Sequence, residues 1–243
     1  MGAALGWGTL AASSLALGAL LGLVRAWPQR LVGLVLAFGA GALISAVSFE
    51  LAEEGVEVGG ARVVAIGLAL GALTFFACDA ALDRVGAGAK ATEDRAASSE
   101  AGPALALGAF LDGIPEQLVL GIGLATAGTI GVGLLVAIVV SNLPEAIGSA
   151  SELHAAGRSA RTVTLLWIAV AAACALATVV GYGLADIASS GLQGGINGFA
   201  AGALLVMLVD SMIPEATAKA GPVAGIVTVL GFAVATGLSS VTA

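Results

Sequence analysis

The chain has 243 residues, of which 59% are hydrophobic and only 10% charged, with a mean hydropathy of +1.07 and a formal net charge of -7. An ordinary soluble domain carries about 25% charged residues, so a water-soluble globular fold is excluded. The acidic balance offers no basic surface for nucleic acid.

Apolar stretches of about 20 residues, the length at which a helix crosses a bilayer, predict eight spans at 3–24, 31–51, 63–82, 104–126, 130–153, 163–184, 192–213 and 223–238. No sustained alternation of period two runs through them, so an all-α polytopic membrane protein is expected rather than a transmembrane barrel. Residues 1–243 then form a single transmembrane domain. The 36 glycines fit close helix approach in lipid, as in the Gly-x-x-x-Gly at Gly18 and Gly22, and glycine-rich faces of this kind would also allow a homodimer.

The first span follows Met1-Gly2-Ala3-Ala4, which lacks the positive region of a secretory signal, so it is expected to be retained as helix one. Span two ends in Glu50, Glu53 and Glu54 with Glu57 beyond, either an acidic vestibule that gathers cations or a solvated helix end. Ser45 and Ser48 within it, like Asn197 in span seven, are small polar residues suited to joining helices. Asp79 and Asp186 lie near span ends and read as interfacial. The segment 83–102, with Arg84, Lys90, Glu93, Asp94, Arg95 and Glu100, reads as a polar cytoplasmic loop and holds no histidine. Cys78 and Cys174 fall inside separate spans and read as packing residues, not a disulfide. Trp7, Trp27 and Trp167 lie towards span ends, where amphipathic rings favour the interface.

Spans four and five carry the chemistry. Asp112-Gly113-Ile114-Pro115-Glu116 and Ser141-Asn142-Leu143-Pro144-Glu145 repeat one pattern 29 positions apart, each setting a carboxylate and a proline inside a stretch of membrane length. At 3.6 residues per turn Asp112 and Glu116 share a face, as do Ser141 and Glu145, with Asn142 beside them. Proline cannot donate to the carbonyl one turn back, which leaves the oxygens of Leu111 and Val140 available. If the two helices face one another, the result is an oxygen-rich, negatively charged cage. Such a cage suits a cation, repels an anion, and binds protons in competition with the cation when empty. The plainer reading, two kinked helices with locally bonded glutamates, must bury several carboxylates with no Lys or Arg in any predicted span to pair them.

Beyond the centre, His154 lies with Glu152 and Arg158 at the end of span five, as a ligand for a departing ion or as an interfacial histidine. Asp210 and Glu215 flank Pro214 near the end of span seven and are candidates for an exit path. Eight of the nine basic residues fall between odd- and even-numbered spans in loops one, three, five and seven, and only Arg62 falls on the other face. By the positive-inside rule those loops are cytoplasmic and both termini extracytoplasmic. Ala40-Gly41-Ala42-Leu43 in span two returns as Ala201-Gly202-Ala203-Leu204 in span seven. Spans five apart run in opposite directions, so spans one to three and six to eight are expected to form inverted repeats around the central pair, a 3+2+3 plan associated with secondary transporters.

The motifs FLDGIPEQLVLGIGL and VVSNLPEAIGSASEL resemble the paired signature of the ZIP (Zrt/Irt-like) family of divalent metal transporters, as does AAGALLVMLVDSMIPEA in span seven. The family's fourth helix carries His-Asn-x-Pro-Glu-Gly, and its fifth carries His and Glu around a similar turn. The resemblance implies metal ligation by Asp112, Glu116, Ser141, Asn142 and Glu145, with Glu50, Glu54, Asp210, Glu215 and His154 along a pathway. Here Asp112 and Gly113 replace the family's His and Asn, and Ser141 replaces its second His. Loss of imidazole shifts the expected preference from zinc towards harder ions such as Mn or Fe(II), and it puts a second metal position of the family's binuclear site in question. The chain then reads as an inner-membrane transporter whose partners are the lipid bilayer and a divalent cation (Zn, Mn or Fe(II)), with no organic cofactor. No phosphate-binding Gly-rich loop with Lys and Ser or Thr is present, so transport would run on the ion gradient or proton exchange. Two rivals are a ZIP-like sensor or scaffold that has lost transport, and an intramembrane protease, which the missing second aspartate and absent His-Glu-x-x-His disfavour.

Overall fold

A computed structural model describes residues 1–85, 101–128 and 131–242. They form eight helices: α1 (Gly2–Val24), α2 (Gln29–Gly59), α3 (Ala61–Val85), α4 (Ala101–Ala127), α5 (Val132–Ala155), α6 (Ala160–Asp186), α7 (Ser190–Ala220) and α8 (Val223–Thr242). Among the described residues, all but α4 are long and apolar enough to cross a membrane, and α4 has the length at 27 residues. The polar loop expected at 83–102 falls mostly on residues 86–100, which lie outside the described residues.

Two helices overrun their predicted ends. Span two was expected to stop at residue 51 and span seven at 213, yet α2 continues to Gly59 and α7 to Ala220. Each passes through a π-helical segment, Val47–Glu53 in α2 and Leu208–Met212 in α7. The wider π turn admits an extra residue without ending the helix. Pro214 then sits in the first turn after the second π segment, where its missing N–H does least harm. The two segments begin seven positions after the start of each Ala-Gly-Ala-Leu motif. Both helices end at a glycine with positive φ, Gly60 at 84° and Gly221 at 69°, a conformation in which a Cβ would be strained.

Helix pairing follows the small residues. α3 packs along α7 and α8 along α2, while α4 packs along α6 and α1 along α5 and α6. The contacts are backbone to backbone. A Cβ on Gly41 would stand 1.8 Å from the Thr228 carbonyl oxygen, and one on Gly202 would stand 2.0 Å from that of Leu68. Likewise Gly71 meets the Phe199 carbonyl and Gly231 that of Phe38. The α2–α8 and α7–α3 seams are thus made by the same residue types in exchanged roles. α1 and α6 mirror one another too, Gly22 resting on the Ile147 carbonyl and Gly181 on that of Leu118. Since lipid tails give helices no hydrophobic reason to associate, this close van der Waals fit is what holds them.

Two groups result, α1, α4, α5, α6 and α2, α3, α7, α8, joined mainly where α2 lies along α5. Leu36, Leu43, Leu204, Leu208 and Ile138 fill that junction. Away from it, α3 and α8 expose Leu70, Leu73, Phe76, Val229 and Leu230, as lipid-facing surfaces do. Ser45 fulfils its expected joining role through a 2.9 Å hydroxyl contact with Thr236 of α8, whereas Ser48 bonds only the Ile44 carbonyl one turn back. Trp167 corrects the interfacial assignment. It is 1% exposed within a buried cluster that includes Ala12, Leu15 and Ala19 of α1 and Ala146 and Ala150 of α5, whose small residues leave room for a large ring.

Replacing Gly71 with Ala should force α3 off α7 and lower stability by about 2 kcal/mol or more, the scale of overpacking against an unyielding neighbour. Gly225, exposed on α8 with nothing near its missing Cβ, is the control. Gly225→Ala should be neutral or gain up to about 1 kcal/mol of helix propensity. Thermal unfolding in detergent distinguishes the two.

Candidate metal site

The two Pro-Glu motifs meet. α4 and α5 both continue as helices through Pro115 and Pro144, and they bring Glu116 opposite Ser141. The Ser141 hydroxyl donates to Glu116 Oε1 at 3.0 Å, with the Ile138 carbonyl an alternative acceptor at the same distance. Glu116 is 2% exposed and Ser141 is fully buried. A carboxylate this deep is expensive to ionise unless polar groups or a cation compensate it. Gly39 of α2 crosses at this level, where a Cβ would stand 3.0 Å from the Ser141 Cα, so the third helix closes over the pair.

Beside this contact lies a cavity of about 20 Å³, lined by Leu36, Glu116, Glu145, Met207, Ser211, Met212 and Glu215. That is room for one water-sized body. Three carboxylates from three helices share it with one hydroxyl. Asn142, 1% exposed, has neither its amide oxygen nor its amide nitrogen hydrogen-bonded among the described residues. An amide buried without partners costs about 1–3 kcal/mol, a cost that a bound water or ion would relieve. Gln117, next to Glu116, accepts from Thr178 of α6 at 2.6 Å, and among the described residues its amide nitrogen has no hydrogen-bond partner. Among the described residues, no three of His, Cys, Asp and Glu converge closely enough to hold a metal. The cavity wall itself offers the carboxylates of Glu116, Glu145 and Glu215, the Ser211 hydroxyl and the thioethers of Met207 and Met212, and Ser141 adjoins it through its bond to Glu116.

The remaining predicted positions are distributed as follows. Asp112 sits on α4 by its backbone, and its side chain lies outside the described residues. Glu50 and Glu54 are at the far end of α2 from this cavity. Glu50 accepts from the Ser239 hydroxyl at 2.8 Å and from the Leu134 N–H, and Glu54 bonds Thr126. They tie α2 to α8, α5 and α4. Asp210 is exposed and borders an apolar groove between α3 and α7 with Leu68, Ala72 and Phe76. Ser211, its neighbour, is the one that faces the cavity. His154 is exposed, its Nδ1 3.0 Å from the Arg158 carbonyl oxygen.

No family model matches the chain. It is, however, similar to a protein of Arabidopsis thaliana described as a "putative zinc transporter", 31% identical over 201 residues. The match covers 78% of this chain but only 30% of that protein. The chain thus spans less than a third of its relative's length.

Sequence reading missed Met207, Ser211 and Lys219. Their signal is a four-residue spacing through Met207, Ser211, Glu215 and Lys219, one stripe of α7 that Pro214 concealed by suggesting an early helix end. Cys174 packs as expected, fully buried in a cluster with Trp167, Val170 and Ala175. The thiol stands beside Gly113, 2.7 Å from where a Cβ would be, within electrostatic range of Glu116 and Glu145.

Asn142→Leu should separate stability from ligand binding. Removing an unsatisfied buried amide at similar volume should raise stability by about 1 kcal/mol while weakening divalent-cation binding. Thermal unfolding and metal titration of the same preparation check both.

Proposed function

We propose that the chain is a ZIP-type transporter carrying a divalent cation into the cytoplasm, bound by Asp112, Glu116, Ser141, Asn142 and Glu145. The observation that carries this reading is that Glu116 and Glu145, from the two matched motifs, line one cavity at the α4–α5 junction. The similarity to the Arabidopsis protein supports metal transport. The five proposed ligands offer oxygen and no imidazole, which supports Mn or Fe(II) over zinc as the preferred ion, with the thioethers of Met207 and Met212 also on the cavity wall.

The reciprocal seams, α2–α8 against α7–α3 and α1–α5 against α6–α4, support the inverted 3+2+3 repeat. So does the spacing of 161 positions that relates Phe38 to Phe199, Gly41 to Gly202, Glu54 to Glu215 and Gly60 to Gly221. Transport then proceeds by motion of α2, α3, α7 and α8 against α1, α4, α5 and α6, with the cation held at their junction. The basic loops support a cytoplasmic location for the ends of α5 and α7, at an inner membrane.

When the cation leaves, Glu116 and Glu145 face one another without it, and a proton relieves their repulsion. Exchange of a metal ion for protons follows from that chemistry. Ser141 holds Glu116 in position by donating to one of its oxygens.

Uptake into proteoliposomes containing a metal-sensitive dye tests the proposal. Glu116→Ala should lower uptake of Mn and Zn at least about 100-fold, as expected for about 3 kcal/mol lost when one partner is stripped from a buried charged contact. In competition Mn should match or exceed Zn. Wild-type uptake in the variant would sink the site. Saturable binding without uptake in the unaltered protein would instead identify a metal sensor or scaffold.

A further inference from the structure

Lys219 stands between the cavity and the end of α7, and its surroundings are built for it. Its Nζ pairs with Glu215 Oε1 at 2.5 Å, while its side chain is only 17% exposed. An i,i+4 pair on an open helix face would leave the lysine in solvent. Here two glycines make a slot. A Cβ on Gly33 of α2 would stand 2.6 Å from the Lys219 Cβ, and one on Gly148 of α5 would stand 3.4 Å from Nζ. The ammonium is thereby threaded across α7 towards α5, one turn beyond Glu145, where Glu152 also feels its charge.

Glu215, the carboxylate it holds, lines the cavity shared by Glu116 and Glu145. The order along the junction is therefore the buried Glu116 and the half-buried Glu145, then the Glu215–Lys219 pair, then Glu152, which is exposed. A divalent cation moving from the cavity towards this end meets Glu215 already satisfied by a positive charge. The Glu215 side chain is 42% exposed, so solvent screens the pair in part, yet an ammonium on Oε1 offsets the charge the carboxylate offers an arriving cation, and the two compete for it.

We propose that Lys219 is a tethered cation that closes the α7 end of the cavity, competing with the transported ion for Glu215 and yielding it only when a divalent ion takes its place. This rests on the reading of the cavity as a cation site. Lys219 is a positioning residue, since it acts through Glu215 and touches no substrate. A monovalent ion, weaker in this exchange, would not displace it, which makes the pair a filter for valence.

Two measurements on the full chain test this. In titration with Mn, Lys219→Met should tighten binding by about fivefold or more, the lower range of a coupling between sites, and Lys219→Arg should restore the original affinity. In a Glu215→Gln background Lys219→Met should change nothing. Separately, in a chain with Cys78 and Cys174 replaced by Ala, Ser211→Cys reports access to the cavity without any metal. A small cationic thiol reagent added from the α7-terminal side should label it several-fold faster with Lys219→Met than with Lys219 or Lys219→Arg. Equal labelling rates, or a Kd for Mn unmoved by Lys219→Met while the unaltered protein binds Mn, would overturn the proposal. Failure of the unaltered protein to bind Mn, Zn or Cd would instead overturn the reading beneath it.

Discussion

The bond from Ser141 to Glu116 joins the two interrupted helices, and the rest of the molecule is arranged so that it can exist. A carboxylate at 2% exposure within a bundle of membrane-length helices is stable only when its oxygens have polar partners and water is kept to a controlled volume. Ser141 supplies one partner from across the α4–α5 contact. Gly39 lets α2 close over the same point, so the polar centre is sealed by backbone and not by a bulky side chain. The cavity left beside it is small enough to hold one body and is walled by Glu145 and Glu215 as well as Glu116.

That sealing depends on how the helices find each other. Without a hydrophobic drive between helices in lipid, affinity comes from surface fit, and the fit here is backbone on backbone at Gly41, Gly71, Gly202 and Gly231. The high glycine content is therefore a structural requirement of the seams. The long helices α2 and α7 add a second device. Their π segments shift the register of side chains partway along the helix, so that Ser211 and Glu215 face the cavity while Asp210 turns outward. Functional polarity and tight packing are thereby carried by different stretches of the same helix.

Much of this was legible in the sequence, and the failures have physical causes. Apolar length gave all eight helices, and the spacing of Pro-Glu motifs pointed to the pair that the fold brings together. Helix ends were misjudged at α2 and α7 because proline and acidic runs ordinarily stop a helix, and a π turn that carries the chain past them leaves no compositional mark. The same error hid Lys219, assigned to a loop although it lies in the last turn of α7. Asp210 drew attention over Ser211 because charge is conspicuous, whereas the four-residue spacing that sets Ser211 in line with Met207 and Glu215 is not. Trp167 was placed at an interface by its distance from a span end, but the cluster that buries it gathers alanines of α1 and α5, a tertiary fact. Asn142 was anticipated as a ligand, and its lack of hydrogen bonds among the described residues is what no sequence pattern could have revealed.

The central claim is that Glu116 and Glu145 bind one divalent cation jointly. Isothermal titration of the purified protein with Mn, Zn and Cd, on the unaltered chain and on Glu116→Gln, Glu145→Gln and the double variant, tests it most directly. Joint binding predicts saturable association that either single change abolishes, with the double variant no worse than the singles. Affinity that survives either substitution, or losses that simply add, would contradict it.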